Sequence, residues 1–328
     1  MRNLSMDALC EKIGNAVSKQ AISKYEKGES LPGSQILILL SQALDVKPDY
    51  FFRESQFAIS NIEFRKKAKM GVKEVEAIKE EIRDIIERYL EIEDVWGYIP
   101  SFANPVKEKL VLSDDDVCEV VKNLKDAWNI GEDGILSVTD LLESKNIKVV
   151  EISADLSFDG LSGYVNKSFD VERLRFTGLH ELGHLVMNLP EEMEKKDKER
   201  LCNLFASEML ISQDVFLEVL GEKRNDISLQ ELKVLQAVYG ISVDALMFKA
   251  KTLGVISESK HTSFCIRKNK SLAFKEVVEK SSYRGVEESS RFERLVYRAL
   301  ASDMISCSKA AVLLDEPMEE VKNKLELV

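Results

Sequence analysis

The residues best suited to chemistry lie at 180–184, where the chain reads His-Glu-Leu-Gly-His within RFTGLHELGHLVMN (175–188). Two histidines four apart share one face of a helix, so both imidazoles can reach a single ion. Leu179, Leu182, Val186 and Leu189 recur at helical spacing on the other side. That apolar stripe anchors the helix and leaves His180 and His184 to hold metal. Glu181 stands beside the first histidine. In a His-Glu-x-x-His arrangement this carboxylate is the general base, acting on water at a zinc ion. One Zn2+ ion is the expected cofactor.

A third ligand is needed, and the supply of histidine is thin. The chain has 3 histidines, and the remaining one is His261. A carboxylate is therefore expected. The following helical stretch, KERLCNLFASEML (198–210), places Glu199 and Asn203 four apart on one face. Glu208 falls on the opposite side, as does Asp197 if the helix reaches back that far. Glu191, Glu192 and Glu194 sit in a charged turn of loose geometry. Glu199 is the expected third ligand, with Asn203 holding a ligand imidazole by a hydrogen bond. His261 and Tyr164 are candidates for oxyanion stabilisation by residue type alone.

Several elements must position these groups. SDDDVCEVVKNLKDAWNI (113–130) reads as a helix with acids in its first turn and SVTDLLESKNI (137–147) as another, and two N-terminal helices read as capped by Ser5 and Ser18. Further helices are expected over about 172–189 and 196–211. KVVEIS (148–153) and SGYVN (162–166) read as strands. SGYVN is either a strand that pairs with an extended substrate peptide or an ordinary internal or edge strand. Residues 226–328 read as helices, with two helix-turn-helix echoes at 238–257 and 301–317. Such turns are also common in plain helical packing. Upstream, 75–89 carries apolar residues every three or four positions, so 72–92 reads as a charged helix. Pro100 and Pro105 mark a linker.

Composition limits the partners. The formal net charge is −11, which excludes non-specific nucleic-acid binding by bulk charge. The 5 cysteines are scattered and form no Cys-x-x-Cys pair, which points to reduced thiols in a cytoplasmic protein. No apolar run approaches the roughly 20 residues of a membrane span, so no membrane partner is expected.

Taken together, RFTGLHELGHLVMN and ERLCNLFASEML resemble the ImmA/IrrE family of metallo-endopeptidases. That family's pattern is an Arg-Phe-Thr lead-in, the His-Glu-x-x-His helix, then Glu-x-x-Ala-Asn-x-Phe-Ala. Arg175, Phe176 and Thr177 match the lead-in, and Glu199, Asn203, Phe205 and Ala206 match the second helix. Cys202 replaces the usual alanine, and Leu210-Ile211-Ser212 stands where Leu-Met-Pro is common. The resemblance spans 115–250. It implies a gluzincin-like zinc site with three protein ligands and an open water position. Glu181 would take a proton from the attacking water and pass it to the leaving amine. It also implies a protein substrate, commonly a helix-turn-helix repressor.

The N-terminal GNAVSKQAISKYEKGESLPGSQILILLSQALDV (14–46) resembles the Xre/lambda-repressor helix-turn-helix. On that resemblance Ile22 and Tyr25 pack inward while Ser18, Lys19, Gln20, Ser23 and Lys24 face DNA. Gln20 would read an adenine edge, and the lysines would bind phosphates. The turn is lengthened by Asn15 and Ala16, and the family's first helix is expected to be missing ahead of LSMDALCEKIG, through a misassigned start or a natural truncation. The alternative role is a helical bundle for partner contacts.

The expected fold class is α+β and mostly helical: an N-terminal helix-turn-helix bundle, a gluzincin-like metallopeptidase domain with a small sheet, and a helical C-terminal region. The expected boundaries are 1–55 (helix-turn-helix), 56–112 (connecting helix and linker), 113–250 (zinc metallopeptidase) and 251–328 (helical region). The expected function is a regulatory zinc endopeptidase with a DNA-binding domain that cleaves a repressor or antitoxin-like protein, in trans or within its own linker. The 72–92 helix could support a homodimer. The alternative is a non-proteolytic transcription regulator whose zinc domain senses a ligand or binds a partner.

Overall fold

The computed structural model describes residues 4–46, 48–52, 64–66, 72–99, 101–152, 158–161, 164–166 and 170–325. Among these the helices are α1 (Met6–Lys12), α2 (Lys19–Glu26), α3 (Ser34–Leu44), α4 (Val72–Val95), α5 (Asp114–Trp128), α6 (Val138–Ser144), α7 (Val171–Val186), α8 (Lys195–Leu210), α9 (Gln213–Leu220), α10 (Leu229–Tyr239), α11 (Val243–Thr252), α12 (Glu258–Lys270), α13 (Leu272–Glu279), α14 (Arg291–Ala301), α15 (Cys307–Leu314) and α16 (Met318–Lys324). A 3-10 turn covers Pro48–Phe52. The strands are β1 (Phe64–Lys66), β2 (Val150–Ile152), β3 (Phe158–Leu161) and β4 (Tyr164–Asn166).

One local signal recurs at the helix starts. Ser5, Ser18, Ser113, Ser137, Ser212, Ser228, Ser242, Ser257 and Ser306 each cap a helix by accepting an amide hydrogen bond from its first turn. Serine hydroxyls satisfy donors that a helix leaves unpaired.

The chain divides into two compact units. The first comprises Met1–Asn61, Ala68–Ile99 and Phe292–Val328. Within it, α1, α2 and α3 close around Leu9, Ile13, Ile22, Leu40 and Ala43. A separate core joins Tyr89 and Ile92 of α4 to Val296 of α14, Leu313 of α15 and Val321 of α16. Arg88 Nη1 donates to the Leu313 carbonyl at 2.8 Å, and Trp96 Nε1 to the Leu295 carbonyl at 3.2 Å.

The second unit comprises Ile62–Lys67 and Pro100–Arg291. Its core runs through Val117, Val121 and Leu124 of α5, Leu179 and Leu182 of α7, Phe205 and Met209 of α8, and Leu246 and Ala250 of α11. No described helix is long and apolar enough to cross a membrane.

The α+β expectation is corrected: the fold is mostly α-helical, a multi-helix assembly. Among the described residues, strand is confined to segments of three or four residues, shorter than the usual strand of about five or six. They pair in the order β1-β3-β4-β2, but the described core clusters draw on helices and the turns between them. The reason lies in KVVEIS and SGYVN. Their β-branched and aromatic runs last only a few residues, while the amphipathic helices bury apolar faces over several turns.

Two details place α7 against α8. Leu179, Leu182 and Val186 are fully buried, so the apolar stripe faces the core. Gly183 lies between α7 and Phe205 of α8, where an added Cβ would come within 3.2 Å of the Phe205 ring. The missing side chain permits the close approach. The helix stops at Val186, short of the expected 189. Met187 is extended, Asn104 Nδ2 donates to the Val186 carbonyl at 2.8 Å, and Pro190 disfavours helix at the residue before it.

The start of α5 supports an acid-titration prediction. Ser113 and Asp116 form a reciprocal capping box. The Ser113 hydroxyl, then the Leu112 amide, hold the Asp116 carboxyl down to about 2. The folded value lies below the ordinary one of about 3.9. The cap's contribution is therefore present above about pH 4 and is lost as pH falls through about 2. Ser113→Ala should cost about 1 kcal/mol at neutral pH and raise the Asp116 titration toward the ordinary value. Urea melts and carboxyl-carbon NMR check both halves, and an unmoved Asp116 contradicts the assignment.

Candidate metal centre

The expected ligands sit on two adjacent helices of the second unit. α7 carries His180, Glu181 and His184, and α8 carries Glu199 and Asn203. His180 Nε2 lies 3.1 Å from His184 Nε2. The Glu199 carboxylate faces both rings, one oxygen 3.5 Å from His180 Nε2 and the other 3.4 Å from His184 Nε2.

These separations test whether a metal fits. A tetrahedral zinc with metal–nitrogen distances of about 2.0–2.1 Å and metal–oxygen distances of about 2.0–2.2 Å holds its donors about 3.3–3.5 Å apart. The observed spacings come within a few tenths of an ångström of that range. Two ring nitrogens and a carboxylate converging this closely are also electron-rich, and a cation among them relieves their repulsion. The donor set suits zinc, being two imidazoles and one carboxylate.

Asn203 completes the arrangement. Its Oδ1 lies 2.8 Å from His180 Nδ1. With a carbonyl oxygen there, Nδ1 carries the proton and donates it, which leaves the Nε2 lone pair for an ion. The site is closed on one side and open on the other. His180 is 1 % exposed and Glu181 8 %, whereas the His184 and Glu199 side chains are about a third exposed, at 28 % and 33 %. Access therefore comes from the His184–Glu199 edge.

Cys202 is the donor that sequence reasoning missed. His180, His184 and Cys202 offer ligand atoms within 4.8 Å of one another, so this trio could also hold a metal. A thiolate with a zinc–sulfur distance of about 2.3 Å would stand about 3.5 Å from a neighbouring ring nitrogen. Cys202 is also fully buried in the core. The one hint in the sequence was a cysteine three residues after Glu199, where small alanine is usual in the resembling family.

Other acidic candidates are placed elsewhere. Glu208, read as facing away from Glu199, is buried in an ion pair with Lys249. Gln213 N donates to Glu208 Oε2 at 2.8 Å, and Lys249 Nζ donates to the Ile211 carbonyl at 2.8 Å. Burial lowers the Lys249 pKa, against the pull of Glu208. Burial and the Glu208 charge push the nearby Cys118 thiol up to about 11. His261 lies on α12, 3.9 Å from Cys265 Sγ and edge-on to Phe248. Tyr164 lies on β4, and its side chain is outside the described residues.

Arg175, a match to the family lead-in, is a structural hub. It is fully buried and ion-pairs with Glu287. It also donates to Tyr283 Oη at 2.8 Å and to the carbonyls of Ile135 at 2.6 Å and Gly240 at 3.2 Å. Gly240, in the left-handed region with φ +60°, passes so close that a Cβ would meet the guanidinium.

In the first unit, the expected DNA-facing residues lie on and just before α2. Gln20 and Lys24 are exposed, and Ser23 is half-buried. Ser18 is exposed, but its hydroxyl caps α2 by accepting from Ala21 N at 3.3 Å. Lys19 is exposed and pairs with Asp7 at 2.7 Å. Ile22 packs into the core, and Tyr25 is half-buried.

Comparison with known proteins bears on both units. Residues 1–51 match a helix-turn-helix family model, and residues 162–251 match the IrrE N-terminal-like domain. The second match contains His180, His184, Glu199 and Asn203. An uncharacterized HTH-type transcriptional regulator, y4aM, of Sinorhizobium fredii (strain NBRC 101917 / NGR234) is 45% identical over 53 residues, which is 16% of this chain. The chain spans 36% of that relative's length. No solved structure matches. The chain therefore joins an N-terminal helix-turn-helix domain to an IrrE/ImmA-like domain, the architecture of ImmA/IrrE regulatory proteins that carry a helix-turn-helix.

Proposed function

We propose that this protein is a cytoplasmic, zinc-dependent endopeptidase that cleaves a helix-turn-helix repressor or antitoxin-like protein, guided by its own DNA-binding domain through Gln20, Ser23 and Lys24 beside Ser18 and Lys19. The observation that carries the reading is the convergence of His180, His184 and Glu199 at 3.1–3.5 Å. Zinc, when bound, supplies a Lewis acid that acidifies water and polarises the scissile carbonyl. His180, His184 and Glu199 would hold it. Asn203 fixes the His180 tautomer. Glu181 takes the proton from the attacking water and returns it to the leaving amine. The burial of Glu181 keeps bulk water from competing for that proton.

A second reading is favoured by Cys202. Were its thiolate to join the two histidines and Glu199, the ion would have four protein donors and no open position. Such closed sites are structural, and the domain would then act as a sensor or partner-binding module without proteolysis.

Metal binding separates the two. Glu199→Ala should abolish stoichiometric zinc, and Asn203→Ala should weaken affinity by about 10–100-fold, while Cys202→Ala retains it. The cobalt-substituted protein should show no sulfur-to-cobalt charge-transfer band. A strong band that vanishes in Cys202→Ala supports the closed site and sinks the peptidase reading as stated. The matching functional assay is cleavage of a candidate helix-turn-helix repressor by zinc-loaded protein.

A further inference from the structure

A groove opens beside the candidate metal centre, within the second unit. It holds about 770 Å3, toward the large end of ligand clefts, which run from about 300 to 1,000 Å3. Glu199 and Asn203 form part of its wall, so it adjoins the carboxylate expected to hold the metal. Beyond them the lining is apolar: Phe176 of α7, Leu204 of α8, and Ala245, Phe248 and Leu253 on and just after α11. Phe248 is 56 % exposed, a large aromatic held against solvent.

The charges of the groove are arranged unevenly. At its floor, Lys249 and Glu208 neutralise each other and find further partners in Ile211 and Gln213. The floor therefore calls for no charged ligand. The rim sets Lys196 and Arg200 beside Asp114 and Glu199. Lys196 is exposed on it, and Arg200 lies beside it in an ion pair with Asp114 at 2.6 Å. Lys251 sits 4.8 Å over the Phe248 ring. Lys195 and Lys196 share the first turn of α8 with Asp197; the helix dipole there disfavours cations, and an approaching anion would relieve them.

We infer that this groove seats apolar side chains of the substrate peptide beside the scissile bond, with an acidic substrate residue at the Lys196 rim. The inference rests on the endopeptidase reading and gives it a substrate class: a segment carrying bulky apolar residues flanked by Asp or Glu. Continuity with Glu199 and Asn203 selects the peptide under attack as the occupant. A cleft of this size accommodates more than one side chain, and the self-paired floor leaves charge recognition to the rim.

The test uses the full-length zinc-loaded protein and a synthetic peptide library varied on both sides of a central bond. Wild type should cut where Leu, Phe or Met adjoins the bond with an acid nearby. Ala245→Trp, which fills the groove, and Phe248→Ser, which removes its wall, should each weaken that preference by about tenfold or more, the scale of a lost apolar subsite contact. The loss should appear in KM, with zinc content and melting unchanged. Lys196→Glu should reverse the acidic preference. A binding arm uses two fluorescein-labelled hexapeptides on Glu181→Gln protein, one with Asp-flanked Leu-Phe and one with Gly-Ser in its place. Only the first should bind, and Ala245→Trp should abolish binding.

Cleavage with a flat side-chain profile, unmoved by either groove variant, overturns the groove assignment and leaves the endopeptidase reading standing. Absence of any cleavage overturns the reading, and the binding arm then decides the groove alone. Equal affinity for the two hexapeptides overturns it there.

Discussion

Arg175→Leu should cost about 3–5 kcal/mol of folding stability, the usual penalty for removing one partner of a buried ion pair. The Arg175 side chain is 0 % exposed and that of Glu287 3 %. Leucine fills part of the volume but strands the Glu287 carboxylate without its cation. It also removes the guanidinium donors to the carbonyls of Ile135 and Gly240, leaving Ile135 the Tyr283 hydroxyl at 3.3 Å. Glu287 also holds the start of α6, where its oxygens accept from Val138 N and Thr139 N at 3.0 Å. Loss of Arg175 therefore loosens α6 and the 281–290 segment together. Arg175→Lys should rescue little, because an ammonium cannot reproduce a fork that serves several acceptors at once. The double variant Arg175→Leu/Glu287→Leu should recover part of the loss, since no unpaired charge remains. Urea melts measure all three. A change below about 1 kcal/mol in Arg175→Leu, the scale of a surface ion pair, contradicts the hub.

This result bears on how the chain is read. Arg175 stood in the sequence as a match to a family lead-in, five residues before His180. Its structural meaning depends on Glu287, 112 residues away, and no local pattern encodes such a pairing. The same holds for Lys249 and Glu208, 41 apart, and for Cys202, whose approach to the histidines depends on the closeness of α7 and α8. What was legible was local. Serine caps marked helix starts because a hydroxyl satisfies a free amide within the same turn. The apolar stripe on α7 and the four-residue spacing of Glu199 and Asn203 follow from helical geometry, and the two faces do meet. The α+β expectation failed for a related reason. β-branched residues signal a strand only weakly when the run is short, and KVVEIS and SGYVN say nothing of how little core their neighbours leave them. The packing of 292–328 with α4 was likewise invisible, because helical periodicity shows which face is apolar and not what will cover it.

Glu181→Gln carries the second large expected effect: proteolysis falls by about 10²–10⁴-fold, the contribution of one general acid–base group, while zinc content and melting stay at wild-type values. The substitution is close to isosteric, so a side chain 8 % exposed keeps its packing. The amide can still donate and accept hydrogen bonds, but it cannot take a proton from water or return it to an amine. Glu181 follows His180 directly, and the peptidase reading gives it the proton and leaves the ion to His180, His184 and Glu199. Its loss should therefore spare metal binding, whereas His184→Ala and Glu199→Ala remove a ligand and should lose zinc and activity together. That contrast separates a proton-transfer role from a holding role within one helix. The assay is cleavage of a candidate helix-turn-helix repressor, with metal analysis and calorimetry on each preparation. If Glu181→Gln cleaves as fast as wild type, Glu181 is not the base. If neither protein cleaves and both regulate transcription equally, the sensor reading built on Cys202 takes the place of the peptidase, because a site that only holds its ion has no use for a proton acceptor at this position.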